Sequence, residues 1–284
     1  MAKIALITDT DSSLPADVAA RFNIRQVPIG INFGTESNES NLDMDDRTLF
    51  ERVDREKRLP TTSAPSTGKF VEAYKAAFEE GYDTIVCICV SSEVSATYNA
   101  AVSAREFFAE RDITVIDSKN LSMGQGFMVL AAAEAAERGE TKENVIAIAL
   151  DTGLRSHYYA GLSTLKYLAM SGRVGHLAAG MANILNIQPI LMIKDGKLVM
   201  LEKIRTRRKS LSRLIDLTAT AVGSNHIEKM AIIHVNALEE CREFEKQLRA
   251  GLKCPDSILM CELGTGLSVH SGTGMIGVSI ILAK

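Results

Sequence analysis

Thr84-Ile85-Val86-Cys87-Ile88-Cys89-Val90-Ser91-Ser92-Glu93-Val94-Ser95-Ala96-Thr97-Tyr98 is the stretch that decides the fold class. Its first seven residues carry no charge, and five of them are β-branched. A short apolar run of this kind, bounded by polar residues, reads as a strand over 84–90 buried on both faces. A hydroxyl-rich loop follows over 91–95, and helical spacing begins at Thr97 and runs to 110. The same strand–loop–helix unit recurs on either side. Residues 3–8 form an apolar strand that ends in Asp9-Thr10-Asp11-Ser12-Ser13, and Pro15 then opens a helix to 22. Polar cap residues before a first-turn proline mark a helix start. Residues 113–116 form a strand ending in Asp117-Ser118, with helices over 123–138 and 142–150. Between these units the sequence predicts a strand over 24–33, a loop over 34–45, a helix over 46–57, a loop over 60–67 and a helix over 70–80. Alternating strands and helices with short apolar strands predict a parallel sheet covered by helices on both faces.

The second half is less regular. It predicts strands at 158–163, 229–235, 257–262 and 276–282 and helices at 165–170, 177–185, 205–222 and 238–252. Lys194-Asp195-Gly196-Lys197 sits between two apolar runs, and Asp-Gly suits the tight primed turn of a hairpin. The expected architecture is therefore α/β with two domains. Residues 1–154 form a parallel-sheet α/β/α domain, and residues 155–284 an α+β domain.

Composition excludes some function classes. Apolar residues make up 46% and charged residues 24% of 284, so the chain can bury a core. A net charge of −3 supplies no strong field toward nucleic acid or anionic membranes. Five scattered cysteines do not suggest a disulfide framework, and no run approaches the roughly 20 apolar residues of a membrane span. The opening residues do not read as a cleavable leader, and the expected location is the cytoplasm.

Several catalytic patterns fail on their context. Gly272-Thr273-Gly274-Met275-Ile276-Gly277 fits G-x-G-x-x-G, but a strand follows it where a dinucleotide site needs a helix. Ser163-Thr164-Leu165-Lys166 lacks the companion motifs of an S-x-x-K enzyme. Cys87 and Cys89 share one face of a strand and read as core packing. The five histidines show no i,i+4 pair, so no metal is expected. The informative clusters are Thr61-Thr62-Ser63, ahead of one helix, and Ser91 to Thr97, ahead of the next. Ligands of open α/β sheets collect at the carboxyl ends of strands. Hydroxyls beside helix N-termini there suit a carboxylate or a phosphate. The basic stretch Lys203-Ile204-Arg205-Thr206-Arg207-Arg208-Lys209 reads mainly as a solvated helix face, with one arginine available to an anion.

In order along the chain, Ile7-Thr8-Asp9-Thr10, Thr62-Ser63-Ala64-Pro65, Ser91-Ser92-Glu93-Val94-Ser95-Ala96-Thr97-Tyr98, Ile116-Asp117-Ser118, Ser171-Gly172-Arg173-Val174, Leu185-Asn186-Ile187-Gln188-Pro189-Ile190, Arg205-Thr206 and His270-Ser271-Gly272-Thr273-Gly274 form a recognisable set. On these residues the chain resembles the DegV family, the fatty-acid-binding proteins that include the acyl-binding subunits of bacterial fatty acid kinase. The resemblance implies a lipid site between the two domains, with a bound long-chain fatty acid as ligand and no cofactor. It implies a carboxylate held by Thr62, Ser63, Ser92 and Ser95, with Arg205 and His270 beside it supporting phosphoryl transfer by a partner kinase. It assigns Arg173 to partner contact. Ala96 stands where the family usually has glycine, and Gln188 where it commonly has lysine.

The resulting expectation is a carrier, not an enzyme in its own right. It buries the tail, exchanges lipid through transient membrane contact, and presents the carboxylate for conversion to an acyl phosphate. Two competing readings are a stand-alone phosphotransferase or hydrolase using Asp9, Asp117 and Ser92, and a nucleic-acid-binding regulator working through residues 205–213.

Overall fold

The computed structural model describes residues 2–41, 43–172 and 187–284. The expected helix over 177–185 lies outside the described residues. Strands β1 (Ile4–Asp9), β2 (Arg25–Val27), β6 (Thr84–Cys89) and β7 (Asp112–Asp117) form a parallel sheet in the order β2-β1-β6-β7. The pleat sends Ile85, Cys87 and Cys89 to one face, where Phe70 and Tyr74 of α3 (Thr67–Glu79) and Ala101 of α4 (Thr97–Arg105) cover them. Val86 and Ile88 face the other way, into the core shared with α5 (Ser122–Glu137) and α6 (Lys142–Leu154).

The second sheet is drawn from residues 156 onward. It contains β8 (Ser156–Gly161), β9 (Gln188–Lys194), β10 (Lys197–Ile204), β11 (Ile227–His234), β12 (Leu259–Glu262) and β13 (Ile276–Leu282). The order is β10-β9-β8-β13-β11-β12, antiparallel except for β11 with β12. Its outer face packs on α8 (Arg207–Val222) and α9 (Leu238–Gly251) through Leu214, Phe244 and Leu248. Its inner face meets α5, which touches both sheets. That position explains why α5 is almost wholly apolar from Met123 to Ala133: a stretch buried on every side has no polar face to keep.

The hairpin at 194–197 takes its expected primed form, with φ of 52° at Asp195 and 78° at Gly196. Three expectations change. The strand over 24–33 is two strands in different sheets, β2 and β3 (Gly30–Phe33). They part at Pro28, which has no N–H to give, and Ile29 N–H turns to Thr10 Oγ1 at 3.0 Å. The loops expected over 34–45 and 60–67 contribute β4 (Glu36–Glu39) and β5 (Thr61–Ser63), which flank β3 in a small antiparallel sheet. A short helix, α10 (Thr265–Ser271), was not expected at all; together with α2 (Asp46–Glu56) and α7 (Lys166–Met170) it closes the junction of the sheets.

Candidate ligand-binding site

A cavity of about 620 Å³ opens at this junction, on the side where β1 and β6 end. Each wall comes from a different element. The pairing of β5 with β3 sets Thr62 opposite Ile31 and brings Thr62 and Ser63 to one wall. The loop after β6 supplies Val94, Ser95 and Ala96. It is pinned by Ser91, whose N–H donates to Asn120 O at 2.8 Å and whose hydroxyl donates to Gly196 O at 2.8 Å. Ala96 has φ −79°, a backbone open to any residue, so the alanine at this position costs no strain.

The third wall is α10, whose first turn is held by side chains from the far end of the chain. Gly264 N–H donates to Ser13 Oγ at 2.9 Å, Thr265 N–H to Asn41 Oδ1 at 3.0 Å and Gly266 N–H to Ser40 Oγ at 3.1 Å. Ser268 donates to Asp46 Oδ2 at 2.9 Å. These contacts place His270, whose Nε2 is hydrogen-bonded to Thr62 Oγ1 at 2.8 Å. The helix stops at Gly272, where φ is +77° and an added Cβ would come within 2.1 Å of the Tyr167 ring. Only glycine fits there.

Inward from His270 the lining becomes apolar. A smaller pocket of about 60 Å³ shares Leu121, Leu168, Leu198, Leu267 and His270 with the cavity. It continues to Tyr158, Ala160, Leu191 and Met275 against the second sheet. At the mouth, Lys197 lies 3.6 Å from Glu93, and Lys119 pairs with Glu93 and Asp117. The arrangement is amphipathic: hydroxyls, an imidazole and charges outside, mainly apolar side chains within.

Four of the expected site residues meet here: Thr62, Ser63, Ser95 and His270. Two do not. Ser92 is absent from the cavity lining because its hydroxyl is committed to Asp117 Oδ2 at 2.5 Å, with Lys119 Nζ 3.2 Å away. Burial raises the Asp117 carboxyl, but the Ser92 and Lys119 contacts outweigh it and hold the group below its ordinary range. Arg205 is exposed at the end of β10 remote from Lys197 and does not line the cavity. An eight-residue strand puts about 25 Å between the two ends. Arg173 lies outside the described residues. Asp9 is fully enclosed, with Val90 N–H at 2.8 Å and Gln125 Nε2 at 3.1 Å on Oδ2, and no hydrogen bond joins it to the Ser92–Asp117 pair among the described residues. The three groups of the phosphotransferase reading are therefore not one cluster.

The sequence reading did not place Asp11, Lys197 or the leucines of the inner pocket in the site. Asp11 was visible at a strand tip, but as part of a helix-opening cluster. The leucines carry no signal that separates a pocket wall from ordinary core.

A parallel-sheet domain and a mixed-sheet α+β domain, with an amphipathic cavity at their junction, define a two-domain α/β architecture. The chain belongs to the DegV family: the family model, described as an uncharacterised protein of the DegV family, matches residues 3–283. A DegV domain-containing protein of Streptomyces coelicolor is 32% identical, and one of Caldanaerobacter subterraneus subsp. tengcongensis 31%, each over 98% of both chains. Among solved structures, a DegV family protein of Thermus thermophilus described for its fatty acid binding superposes with a TM-score of 0.91 at 27% identity, covering 99% of this chain and all of the other. DegV of Bacillus subtilis, described as a fatty acid binding protein, superposes at 0.90 with 28% identity over the whole of both chains.

Proposed function

We propose that this protein binds one long-chain fatty acid and offers its carboxylate to a partner kinase, which converts it to an acyl phosphate. The observation that carries the reading is the Thr62–His270 pair at the polar end of a cavity whose inner extension is mainly apolar. The tail runs along the cavity, and only its end enters the apolar extension. The carboxylate meets Thr62, Ser63, Ser95 and His270. The volume falls within the roughly 300–1,000 Å³ of small-molecule sites. The fatty acid binding described for the Thermus thermophilus and Bacillus subtilis proteins supports the same ligand class.

The tail dominates affinity. Each buried CH₂ contributes about 0.8 kcal/mol, so a tail of about 16 carbons contributes on the order of 10 kcal/mol gross. A hydrogen bond to the carboxylate adds about 1.5–3 kcal/mol and fixes which end enters. The chain has no P-loop sequence, so the reading assigns nucleotide chemistry to the partner. Arg205, exposed, and Arg173 belong in this reading to the partner's docking face, and His270 neutralises charge as the phosphoryl group arrives. The domain division falls between residues 154 and 155, with the ligand held at the junction. The carrier works in the cytoplasm and touches membranes only to exchange lipid. No helix among the described residues is long and apolar enough to cross a membrane.

Native mass spectrometry of the purified protein tests the first step. The expected spectrum shows one fatty acid mass per chain, either co-purified or taken up from palmitate or oleate. A protein that stays at its bare mass after incubation with both lipids overturns the reading. ATP-dependent acyl phosphate formation that requires both this chain and a kinase tests the second step.

A further inference from the structure

Among the described residues, Asp11 is the one acidic side chain in the cavity wall that is nine-tenths buried, at 6% exposure, and its Oδ1 meets no hydrogen-bond donor. Its neighbour Asp9, two residues earlier, takes three donors: Val90 N–H, Gln125 Nε2 and the N–H of Asp11 itself. Asp11 is pressed against Gly266, where an added Cβ would lie 2.8 Å from Oδ1, and it shares the cavity with Thr62 and His270. A buried carboxylate with no donor is costly, and a buried neutral carboxyl with nothing to receive its proton is incomplete. Resting on the fatty-acid reading above, we infer that Asp11 is a ligand-binding residue: it stays protonated and donates its O–H to the carboxylate of the bound acid, so that two carboxyl groups share one proton.

The surroundings favour this role. Burial and then the Asp9 charge hold the Asp11 carboxyl well above its ordinary range, and burial lifts Asp9 to about 6 against the donors that pull it down. Two carboxyls this close divide the work, the donor-rich one taking the charge and the donor-free one the proton. Among the described residues few other charges face the pair. His270 comes from α10, and α5 presents Gln125 and no charge in its first two turns. Glu93 and Lys197 stand across the cavity as an ion pair. Asp46 of α2 is turned to Ser268. An O–H···O⁻ bond between acid and carboxylate is short and charge-assisted. An ionised Asp11 would instead repel the ligand. Asp11 thus makes the site one for a carboxylate at a pH where it keeps its proton.

The test is a titration of palmitate affinity, below its micelle concentration, from about pH 6 to about pH 10. Wild type and Asp11→Asn are compared, because the amide keeps a donor and cannot ionise. Wild-type affinity is expected to fall with rising pH, by up to about tenfold per unit once Asp11 titrates, while the Asp11→Asn profile is flatter by that amount. Identical profiles overturn the role of Asp11. A wild type that binds no palmitate at any pH overturns the fatty-acid reading instead. If Asp11→Asn fails to fold, as judged by its thermal melt, the infrared difference spectrum of wild type on adding palmitate decides. A shifted protonated-carboxyl band supports the inference, and an unchanged one overturns it.

Discussion

Thr62 Oγ1 and His270 Nε2 are hydrogen-bonded at 2.8 Å although 208 residues separate them in the chain. The bond ties β5, in a three-residue strand of the small sheet, to α10 on the opposite wall. On the fatty-acid reading proposed above, Thr62 and His270 are two of the groups that meet the carboxylate. Each can turn from its partner to the ligand without moving its backbone, because one is a hydroxyl rotor and the other a ring with two nitrogens.

Replacing Thr62 with valine keeps the shape of the side chain and removes the hydroxyl. The expected effect is the loss of one hydrogen bond to a charged group, about 1.5–3 kcal/mol, or roughly tenfold or more in palmitate affinity by calorimetry. An affinity within about twofold of wild type would show that Thr62 does not touch the ligand.

Two of the three serines in the loop after β6, Ser92 and Ser95, have different surroundings. Ser95 lines the cavity and shares its hydroxyl with Thr97 Oγ1 at 2.8 Å, whereas Ser92 is bound to Asp117 outside the lining. Ser95→Ala is expected to weaken palmitate binding by about tenfold, with a small change in melting temperature. Ser92→Ala is expected to cost about 1 kcal/mol of stability and to change affinity by less than about threefold. Paired calorimetry and thermal melts on both variants separate the two roles, and a reversal of the pattern would return Ser92 to the site.

Ala160 on β8 faces the inner pocket. Ala160→Leu adds three carbons to a close-packed wall, so it displaces about three methylenes of the tail. Palmitate affinity should fall by about 2 kcal/mol at 0.8 kcal/mol per CH₂, while an acid about three carbons shorter is spared. Competition between acids of graded length, read by native mass spectrometry, measures this shift. An unchanged length profile would place the tail elsewhere.

Asp46 is fully buried under Ser268, and burial, before the nearby Glu262 and Asp45 charges, raises it to about 8. Its folded-state pKa lies above the unfolded value of about 3.9, so the native state retains the proton that the unfolded chain gives up. The stability this contributes is full below about pH 4 and is lost as pH rises through about 8. Asp46→Asn removes that dependence. Thermal melts should show the variant gaining on wild type between about pH 5 and about pH 8.5, and parallel curves would mean that Asp46 is ionised throughout.

Much of this architecture was legible because burial leaves a mark in the sequence. The run from Thr84 to Val90 lies between two layers of helices, and no polar residue interrupts it. The Asp195-Gly196 turn declared itself by the left-handed backbone it needs. By contrast β4 and β5 read Glu-Ser-Asn-Glu and Thr-Thr-Ser, with no apolar alternation, and they are strands only because β3 pairs with both. The first turn of α10 takes its partners from Ser13, Ser40 and Asn41, more than 220 residues away, so no local signal marks the helix. The hydroxyl clusters pointed to two loops that line the cavity. Which serine faces the cavity depends on how the Ser91 turn is pinned to Gly196, and Arg205 is carried off by the length of β10. Both are matters of register that composition does not report.

The clasp between α10 and the first 46 residues also sets the order in which a new molecule becomes competent. While the ribosome still holds residues 265–271, the early α/β half has no opposite wall for Thr62, and the Asp46 carboxyl has no serine to meet. The earlier part of a nascent chain therefore presents an open groove, and the cavity closes only once α10 has docked.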